Sequence, residues 1–246
     1  MSTPSIALQL YTVRDETARD FRATIREVAR IGYAGVEFAG YGGLTSTEMV
    51  SLLSETGLKV AGSHVSLKLL DDHLADEINY CRAIDCSYLV ISSFPSEWYN
   101  AQQFHTLAPQ LNEIGRRCHE QGITLAFHNH YNEFLPTEGH YLLDILLAET
   151  NPAFVQLELD SYWASYAGVD PIAYLKQYTG RVPLIHLKDM TPTRTFTEVG
   201  DGTLDIQGFR QAAQAAGTQW YIVENDAPTL PSLESARRSF NNLLKM

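Results

Sequence analysis

Apolar residues along this chain follow two alternating patterns. Short apolar runs, such as Ile6-Ala-Leu-Gln-Leu-Tyr11, predict buried strands, and the longer segments between them carry apolar residues at the three-to-four spacing of amphipathic helices. Gly32 and Gly57 follow the first two helical segments, where glycine commonly caps a helix. The pattern therefore predicts one repeating unit, a strand followed by a helix.

The unit occurs eight times along the chain. The predicted strands are residues 6–11, 35–38, 60–64, 87–93, 123–130, 154–160, 182–189 and 220–224. The predicted helices are residues 20–31, 45–57, 73–84, 101–122, 141–149, 171–178, 206–216 and 233–244. Strict alternation of eight such units in 246 residues predicts an α/β fold, an eight-stranded parallel (β/α)8 barrel. Since no linker or low-complexity tract divides the chain, we expect a single domain over residues 1–246.

Histidines and carboxylates gather at the carboxyl ends of the later predicted strands. Side chains alternate along a strand, and the inward ones at the carboxyl ends of barrel strands meet in one open mouth. The inward residues that end these strands are His128, His130, Asp160, His186 and Glu224, and Glu133 follows just beyond the fifth strand. Alone, the two histidines of the fifth strand are also compatible with an ordinary solvated strand end. Together, the six residues are expected to converge.

This convergence predicts a site for one divalent metal ion. Carboxylate oxygens with an imidazole nitrogen suit Mn²⁺, Mg²⁺, Co²⁺ or Zn²⁺, and no cysteine lies among these positions to favour a closed structural zinc site. Asp160 has the alternative role of a helix N-cap, although Ser161-Tyr-Trp-Ala164 does not resemble a helix start. His186 has the alternative of a hydrogen-bonded core histidine. Glu224 is hardest to explain structurally, because an unpaired carboxylate at the end of a buried strand is costly.

Other polar residues are expected around the same mouth. Glu37 ends the second predicted strand and His64 the third, and each either contacts a polyhydroxy substrate or lies in a solvated loop. Lys188 and Asp189 follow on the seventh strand and are also expected to face a substrate. The parity of Lys188 aims its ammonium inward, where it can neutralise an enolate oxygen. Trp163 is expected to form an apolar wall, with a core position as the alternative.

The composition limits the possible partners. A net charge of −11 argues against a nucleic-acid partner, because Lys and Arg must neutralise phosphates in such complexes. No apolar run is long enough to span a membrane, and the first residues lack the features of a signal peptide, so a cytoplasmic location is expected. Three cysteines at positions 81, 86 and 118 fit neither a disulfide framework nor a zinc knuckle and are expected to be reduced packing residues. A homo-oligomer is left open.

Several motifs resemble those of a known family, the xylose isomerase-like sugar phosphate isomerase and epimerase superfamily of TIM barrels. The motifs span nearly the whole chain: Leu8-Gln-Leu-Tyr-Thr-Val-Arg14, Gly35-Val-Glu37, His128-Asn-His-Tyr-Asn-Glu-Phe134, Leu159-Asp-Ser-Tyr-Trp163, His186-Leu-Lys-Asp-Met190 and Val223-Glu-Asn-Asp226. They are specific for the superfamily and not for a substrate. The resemblance implies one divalent metal held by a carboxylate of the fifth-strand region, an aspartate, a histidine and a glutamate.

Three of these ligands carry over, as Asp160, His186 and Glu224. The fourth does not, because many members have a glutamate on the fifth strand where this chain has Ala126 and His128. Glu133 is the expected substitute ligand, with His128 or His130 as rivals. The departure weakens the case for the two-glutamate mechanism of ketose 3-epimerases. It favours a branch similar to inosose dehydratases and enzymes of keto-sugars, in which a histidine serves as the base.

The leading functional hypothesis is a metal-dependent isomerase or epimerase that moves a proton next to a carbonyl through an enediolate. Glu224 and His130 are the candidate base and acid, with His128 and Lys188 as further catalytic candidates. A dehydratase of inosose or a 3-keto-sugar is the alternative, because the same enediolate can expel a β-hydroxyl. The absence of a glycine-rich phosphate loop favours a non-phosphorylated sugar or cyclitol.

Two other classes remain. AP endonucleases share the resemblance, but they hold three zinc ions and grip DNA with a basic surface, which the acidic balance of this chain opposes. A non-catalytic sugar-binding barrel is also possible. It is disfavoured because binding alone does not need a Lewis acid.

Overall fold

Eight parallel strands close into a barrel, numbered β1 to β8 in chain order. The computed structural model describes residues 3–137 and 139–246. The strands are Ser5–Gln9, Gly35–Phe38, Lys59–Val65, Tyr88–Ile91, Thr124–His128, Val155–Asp160, Leu184–Leu187 and Trp220–Val223. Each strand pairs in parallel with its neighbours in sequence, and β8 closes onto β1. The predicted (β/α)8 TIM barrel is confirmed.

The described residues form nine α-helices, numbered α1 to α9. They are Arg14–Ile31, Ser46–Thr56, Leu67–Ala83, Ala101–His119, Leu142–Glu149, Ser161–Tyr166, Pro171–Gln177, Ile206–Ala216 and Ser232–Leu243. Eight of them match predicted helices, and α6 is additional. The first and third helices begin six residues earlier than the pattern predicts. Both bend where the start was expected, because Asp20 and His73 have non-helical backbone angles.

Short irregular elements lie between these helices and strands. Three 3-10 helices cover Leu10–Val13, Ser96–Trp98 and Asn132–Phe134. Two antiparallel ribbons join Pro136–Thr137 to His140–Tyr141 and Asp189–Met190 to Phe196–Thr197. The second ribbon braces the long loop after β7, which is on the face where (β/α)8 barrels carry their functional loops.

The interior of the barrel has an apolar layer below a polar one. A cluster of seven buried residues fills the barrel toward the amino ends of the strands: Ala7, Ala61, Tyr88, Val90, Ala126, Leu184 and Ile222. Two residues further toward the carboxyl ends of four of these strands, the next inward side chains are also buried but polar: Gln9, His128, His186 and Glu224. The outward residues of the strands pack under the helices in a second, larger core. The change of polarity along the strands therefore places the polar groups at the carboxyl end.

Two expectations from composition can be compared with the structure. The three cysteines are free and buried, as predicted for packing residues. None of the helices in the described part of the chain is long and apolar enough to cross a membrane.

Arg181 fastens the end of α5 to the barrel from the loop before β7. Its guanidinium donates to the carbonyl of Thr150 at 3.0 Å, to the Thr150 hydroxyl at 2.7 Å and to the carbonyl of Val155 at 3.3 Å. It also donates to the carbonyl of Leu147. The last carbonyls of a helix have no partner within the helix, so this side chain satisfies groups that would otherwise be left unpaired.

We expect Arg181→Met to lower the free energy of unfolding by about 2–3 kcal/mol, because it leaves partly buried carbonyls without donors. Urea unfolding of the metal-free protein measures this difference. Arg82→Met is the matched control, since Arg82 is exposed and makes a hydrogen bond to the Gln121 side chain. If Arg181→Met and Arg82→Met lowered the free energy of unfolding by the same small amount, Arg181 would not fasten α5 to the barrel.

Candidate metal centre and active site

A cavity of about 460 Å³ opens at the carboxyl ends of the strands. Its histidine, lysine and carboxylate side chains are His64, His128, His130, Lys188, Glu224 and Asp226, and Tyr11 and three serines add hydroxyl groups. Five of these six were predicted as site residues, and they come from strands on both sides of the barrel. Three of the residues predicted to converge, His128, His130 and Glu224, therefore line this cavity.

Four side chains beside this cavity form what we call the outer group: His128, Asp160, His186 and Glu224. One ligand atom of each lies within 4.8 Å of the others, and all four residues are buried. His186 Nδ1 lies 2.8 Å from Glu224 Oε2, and His128 Nε2 lies 3.7 Å from Asp160 Oδ2. The four come from the consecutive strands β5 to β8. Three predicted ligands are thus together, with His128 beside them.

The two carboxylate oxygens of Asp160 have different surroundings. Its Oδ1 accepts a hydrogen bond from the Trp163 backbone N–H at 2.9 Å, so it is the N-cap of α6. The expectation that residues 161–164 do not start a helix is wrong. Within the described residues, the buried Oδ2 accepts no hydrogen bond, although Lys188 Nζ lies 3.0 Å away. The same carboxylate groups with two imidazoles and the Glu224 carboxylate, a donor set that suits a divalent ion.

Glu133 lies outside the outer group. It is fully buried in the 3-10 helix after β5, and its Oε2 accepts a hydrogen bond from the His130 backbone N–H at 2.8 Å. Burial raises its pKa to about 7. Among the residues that the structure describes, the clusters able to hold a metal include His128 and not Glu133. The structure therefore ties Glu133 to the backbone that carries His130, and its role as a ligand stays a prediction.

The ammonium of Lys188 is buried among three carboxylates. It lies 2.7 Å from Glu224 Oε2, 3.0 Å from Asp160 Oδ2 and 3.0 Å from Asp226 Oδ2. Burial alone would lower its pKa, but Asp160, Glu224 and Asp226 hold the pKa well above its usual range. Burial and the neighbouring Glu224 raise the pKa of Asp226 to about 6. Because the negative groups outnumber the ammonium, this side of the cavity attracts a further cation.

His130 lies two residues beyond the end of β5, half-buried at the cavity. Burial and the neighbouring Lys188 lower its pKa to about 4, so its imidazole is neutral at neutral pH and able to accept a proton. Trp163 packs beside it, with ring centroids 5.7 Å apart, and lies 5.8 Å from Lys188 Nζ. Trp163 supports His130 and Lys188 and is not part of the cavity lining.

Glu37 and His64 belong to a second cluster that adjoins the outer group. Glu37 is fully buried, and its Oε2 accepts hydrogen bonds from Gln9 Nε2 at 2.8 Å and His186 Nε2 at 2.7 Å. It does not line the cavity, whereas His64 does. The third member is Glu158, whose Oε2 lies 2.8 Å from His64 Nε2. No role is predicted for Glu158 from the sequence, although it shares its inward parity with Asp160.

Asp189 is turned away from the cavity. It is 1% exposed, and its carboxylate accepts four backbone hydrogen bonds of 2.8 to 3.1 Å. The donors are Met190, Gly200, Gly202 and Leu204. The expectation that Asp189 faces a substrate is wrong. The carboxylate organises the loop after β7 instead.

The sequence of this chain matches a known family and several named proteins. The model of a family described as xylose isomerase-like TIM barrel matches residues 25–246. An inosose dehydratase from Mesomycoplasma hyopneumoniae is 26% identical over 268 residues, covering 91% of this chain and 87% of that protein. The chain spans about half the length of several other inosose dehydratases that it matches, 48% in the case of Clostridium beijerinckii.

Solved structures of low sequence identity share the fold. A sugar phosphate isomerase/epimerase from Parabacteroides distasonis superposes with a TM-score of 0.84 at 23% identity, covering 99% of this chain and 94% of that one. The IOLI protein, solved with a bound zinc atom, superposes with a TM-score of 0.77 at 15% identity, covering 98% and 97%. These likenesses extend over the whole barrel.

The two functions of Asp160 are separable by substitution. Asp160→Asn keeps an oxygen that can cap α6 and removes the charge, whereas Asp160→Ala removes both. We expect both variants to lose bound metal, and the alanine variant to be about 1 kcal/mol less stable than the asparagine variant. Elemental analysis and urea unfolding in the presence of a chelator measure the two effects.

Asp205→Asn is the matched control for these variants, because Asp205 caps α8 away from the cavity through a 2.9 Å bond from Gly208 N–H. It should retain the metal. Full metal content in Asp160→Asn would remove Asp160 from the ligand set.

Proposed function

The chain belongs to the xylose isomerase-like TIM barrel family, and from that premise we propose that it is a divalent-metal-dependent enzyme acting on a keto-sugar or cyclitol. The proposed chemistry is proton transfer at the carbon next to a carbonyl. The observation that carries this proposal is the outer group, in which two carboxylates and two imidazoles from four consecutive strands converge beside a cavity. A buried ammonium and a neutral imidazole adjoin it.

The outer group would hold one ion of Mn²⁺, Mg²⁺, Co²⁺ or Zn²⁺. Such an ion supplies Lewis acidity, which polarises a carbonyl and acidifies the neighbouring C–H bond. The zinc in the IOLI structure supports a divalent ion as the class of cofactor. Although burial acts in the opposite direction, Lys188 and His186 keep the pKa of Glu224 low, so its carboxylate is ionised and suited to be a ligand.

Two side chains at the cavity are suited to proton and charge transfer. His130 is the proposed base, because its imidazole is neutral and partly open to the cavity. Lys188 is the proposed stabiliser of negative charge on a substrate oxygen, because its ammonium is buried and already oriented by carboxylates. His128 is more deeply buried than His130, and burial also lowers its pKa, which suits a neutral ligand.

The fate of the enediolate separates two reactions, an isomerisation or epimerisation and a dehydration. Epimerisation at one carbon is served by two similar acid–base groups on opposite faces. Dehydration needs unlike groups, a base for the α-proton and an acid or cation for the leaving hydroxyl. The neutral His130 and the cationic Lys188 are unlike groups, and relatives carry the name inosose dehydratase. We therefore favour dehydration of a cyclic keto-polyol, with isomerisation or epimerisation as the second candidate.

The test is to incubate the metal-loaded protein with inosose, 3-keto-glucosides and ketoses in deuterated water. Dehydration predicts an unsaturated product with at least one substrate, and isomerisation predicts deuterium at the α-carbon of a saturated product. Lys188→Met should retain the metal and lose at least about 100-fold in turnover, because the charge stabilisation is gone. Lys176→Met, which removes an exposed lysine, should match the wild type.

Bound metal with neither exchange nor elimination on any of these substrates would replace the enzyme proposal with a sugar-binding barrel. A purified protein that binds no divalent ion at all would remove the metal centre itself.

A further inference from the structure

A second cluster adjoins the outer group, and we call it the inner group: Glu37, His64 and Glu158. Both glutamates are fully buried, and the side chain of His64 is 12% exposed. Two buried carboxylates side by side are costly unless nearby groups compensate them. Glu158 makes no contact that the proposed reaction requires, so its presence in the barrel needs another explanation.

One oxygen of Glu158 reaches three imidazoles. Its Oε2 lies 2.8 Å from His64 Nε2, 3.0 Å from His128 Nδ1 and 3.2 Å from His186 Nε2. Its Oε1 is buried and has no hydrogen-bond partner in the described part of the chain. Glu37 Oε2 adds a 2.7 Å contact to His186 Nε2. Both outer-group histidines, His128 and His186, therefore contact inner-group carboxylates.

These contacts decide where the His128 ring carries its hydrogen. An ionised carboxylate only accepts hydrogen bonds, so the ring nitrogen that faces it must be an N–H. For His128 that nitrogen is Nδ1, which lies 3.0 Å from Glu158 Oε2, whereas Nε2 lies 3.7 Å from Asp160 Oδ2, beyond hydrogen-bond range, and faces the outer group. His186 differs, because both of its ring nitrogens lie 2.7 to 2.8 Å from a carboxylate, that of Glu37 and that of Glu224, and both therefore carry hydrogen in the metal-free protein. A nitrogen binds a metal only through a free lone pair, and the partner of the other nitrogen sets which one is free.

We propose that Glu158 is a positioning residue that selects the tautomer of His128 at the proposed metal site. His128 is held with hydrogen on Nδ1, so that the free lone pair of Nε2 points into the outer group. The proposal rests on the proposed metal centre for its purpose. The tautomer of His128 is nevertheless a property of the metal-free protein.

The inner group is also a conceivable metal site, since ligand atoms of His64, His128, Glu158 and His186 lie within 4.8 Å of one another. His128 and His186 would then have to serve two ions at once. Each ring would then have to be an imidazolate, with no hydrogen on either nitrogen. The positioning role requires no such change, and it predicts one bound ion and not two.

The test combines nitrogen-15 NMR of the histidine side chains with metal titration. In the metal-free wild type, we expect the His128 ring as the neutral Nδ1–H tautomer, assigned by the loss of its signals in His128→Asn. In Glu158→Leu, the hydrogen should move to Nε2 in a large share of molecules. Zn²⁺ affinity should fall about 10–100-fold while the stoichiometry stays at one. Gln156→Leu, on the same strand, should leave both measurements unchanged.

Glu158→Gln provides a second, isosteric variant should the leucine variant fail to fold, and it should weaken Zn²⁺ binding in the same direction. An unchanged His128 tautomer in Glu158→Leu, or an unchanged Zn²⁺ affinity in Glu158→Gln, overturns the proposal. So does a second equivalent of metal in the wild type that disappears with Glu158, because Glu158 would then be a ligand. If the wild type binds no metal, the metal centre fails, and the tautomer of His128 still tests the positioning role by itself.

Discussion

Burial of charge inside the barrel is the constraint on which the rest of this structure depends. Glu37, Glu158, Asp160 and Glu224 are each at most 5% exposed, and Lys188 is 1% exposed. Carboxylates removed from water require cations or donors at close range.

Burial opposes protonation of His64, yet Glu37 and Glu158 raise its pKa to about 10. The same carboxylates raise the pKa of His186. Even so, the negative groups remain in excess, which is the electrostatic basis for a cation in the outer group.

The barrel is the scaffold that makes this density of charge possible. An apolar layer that includes Tyr88 and Ile222 fills the strands toward their amino ends, so the polar layer is supported from below and opens at the carboxyl ends. In the surrounding loop, the buried carboxylate of Asp189 accepts hydrogen bonds from four backbone N–H groups of the β7–α8 connection. The strands carry the outer group, and the connections that follow them frame the cavity.

The family relationship and the site support different levels of conclusion. A (β/α)8 barrel hosts many chemistries, so membership alone does not select a reaction. The local departures are more informative: His128 occupies the fifth-strand position in the outer group, and Glu133 accepts a hydrogen bond from the backbone of His130. An arrangement with one neutral imidazole and one buried ammonium differs from a pair of equivalent glutamates. That difference is what directs the proposal toward elimination.

The sequence by itself determined the strand–helix alternation, the barrel, and the inward direction of Asp160, His186 and Glu224, because side-chain alternation is a local property of a strand. Helix starts at Arg14 and Leu67 were missed, since the bends at Asp20 and His73 look like boundaries in the pattern. Only the tertiary structure decided which inward groups meet. Parallel pairing places His128 opposite Glu158 and Asp160 opposite His186. That register follows from closure of all eight strands, a non-local condition that no single segment contains.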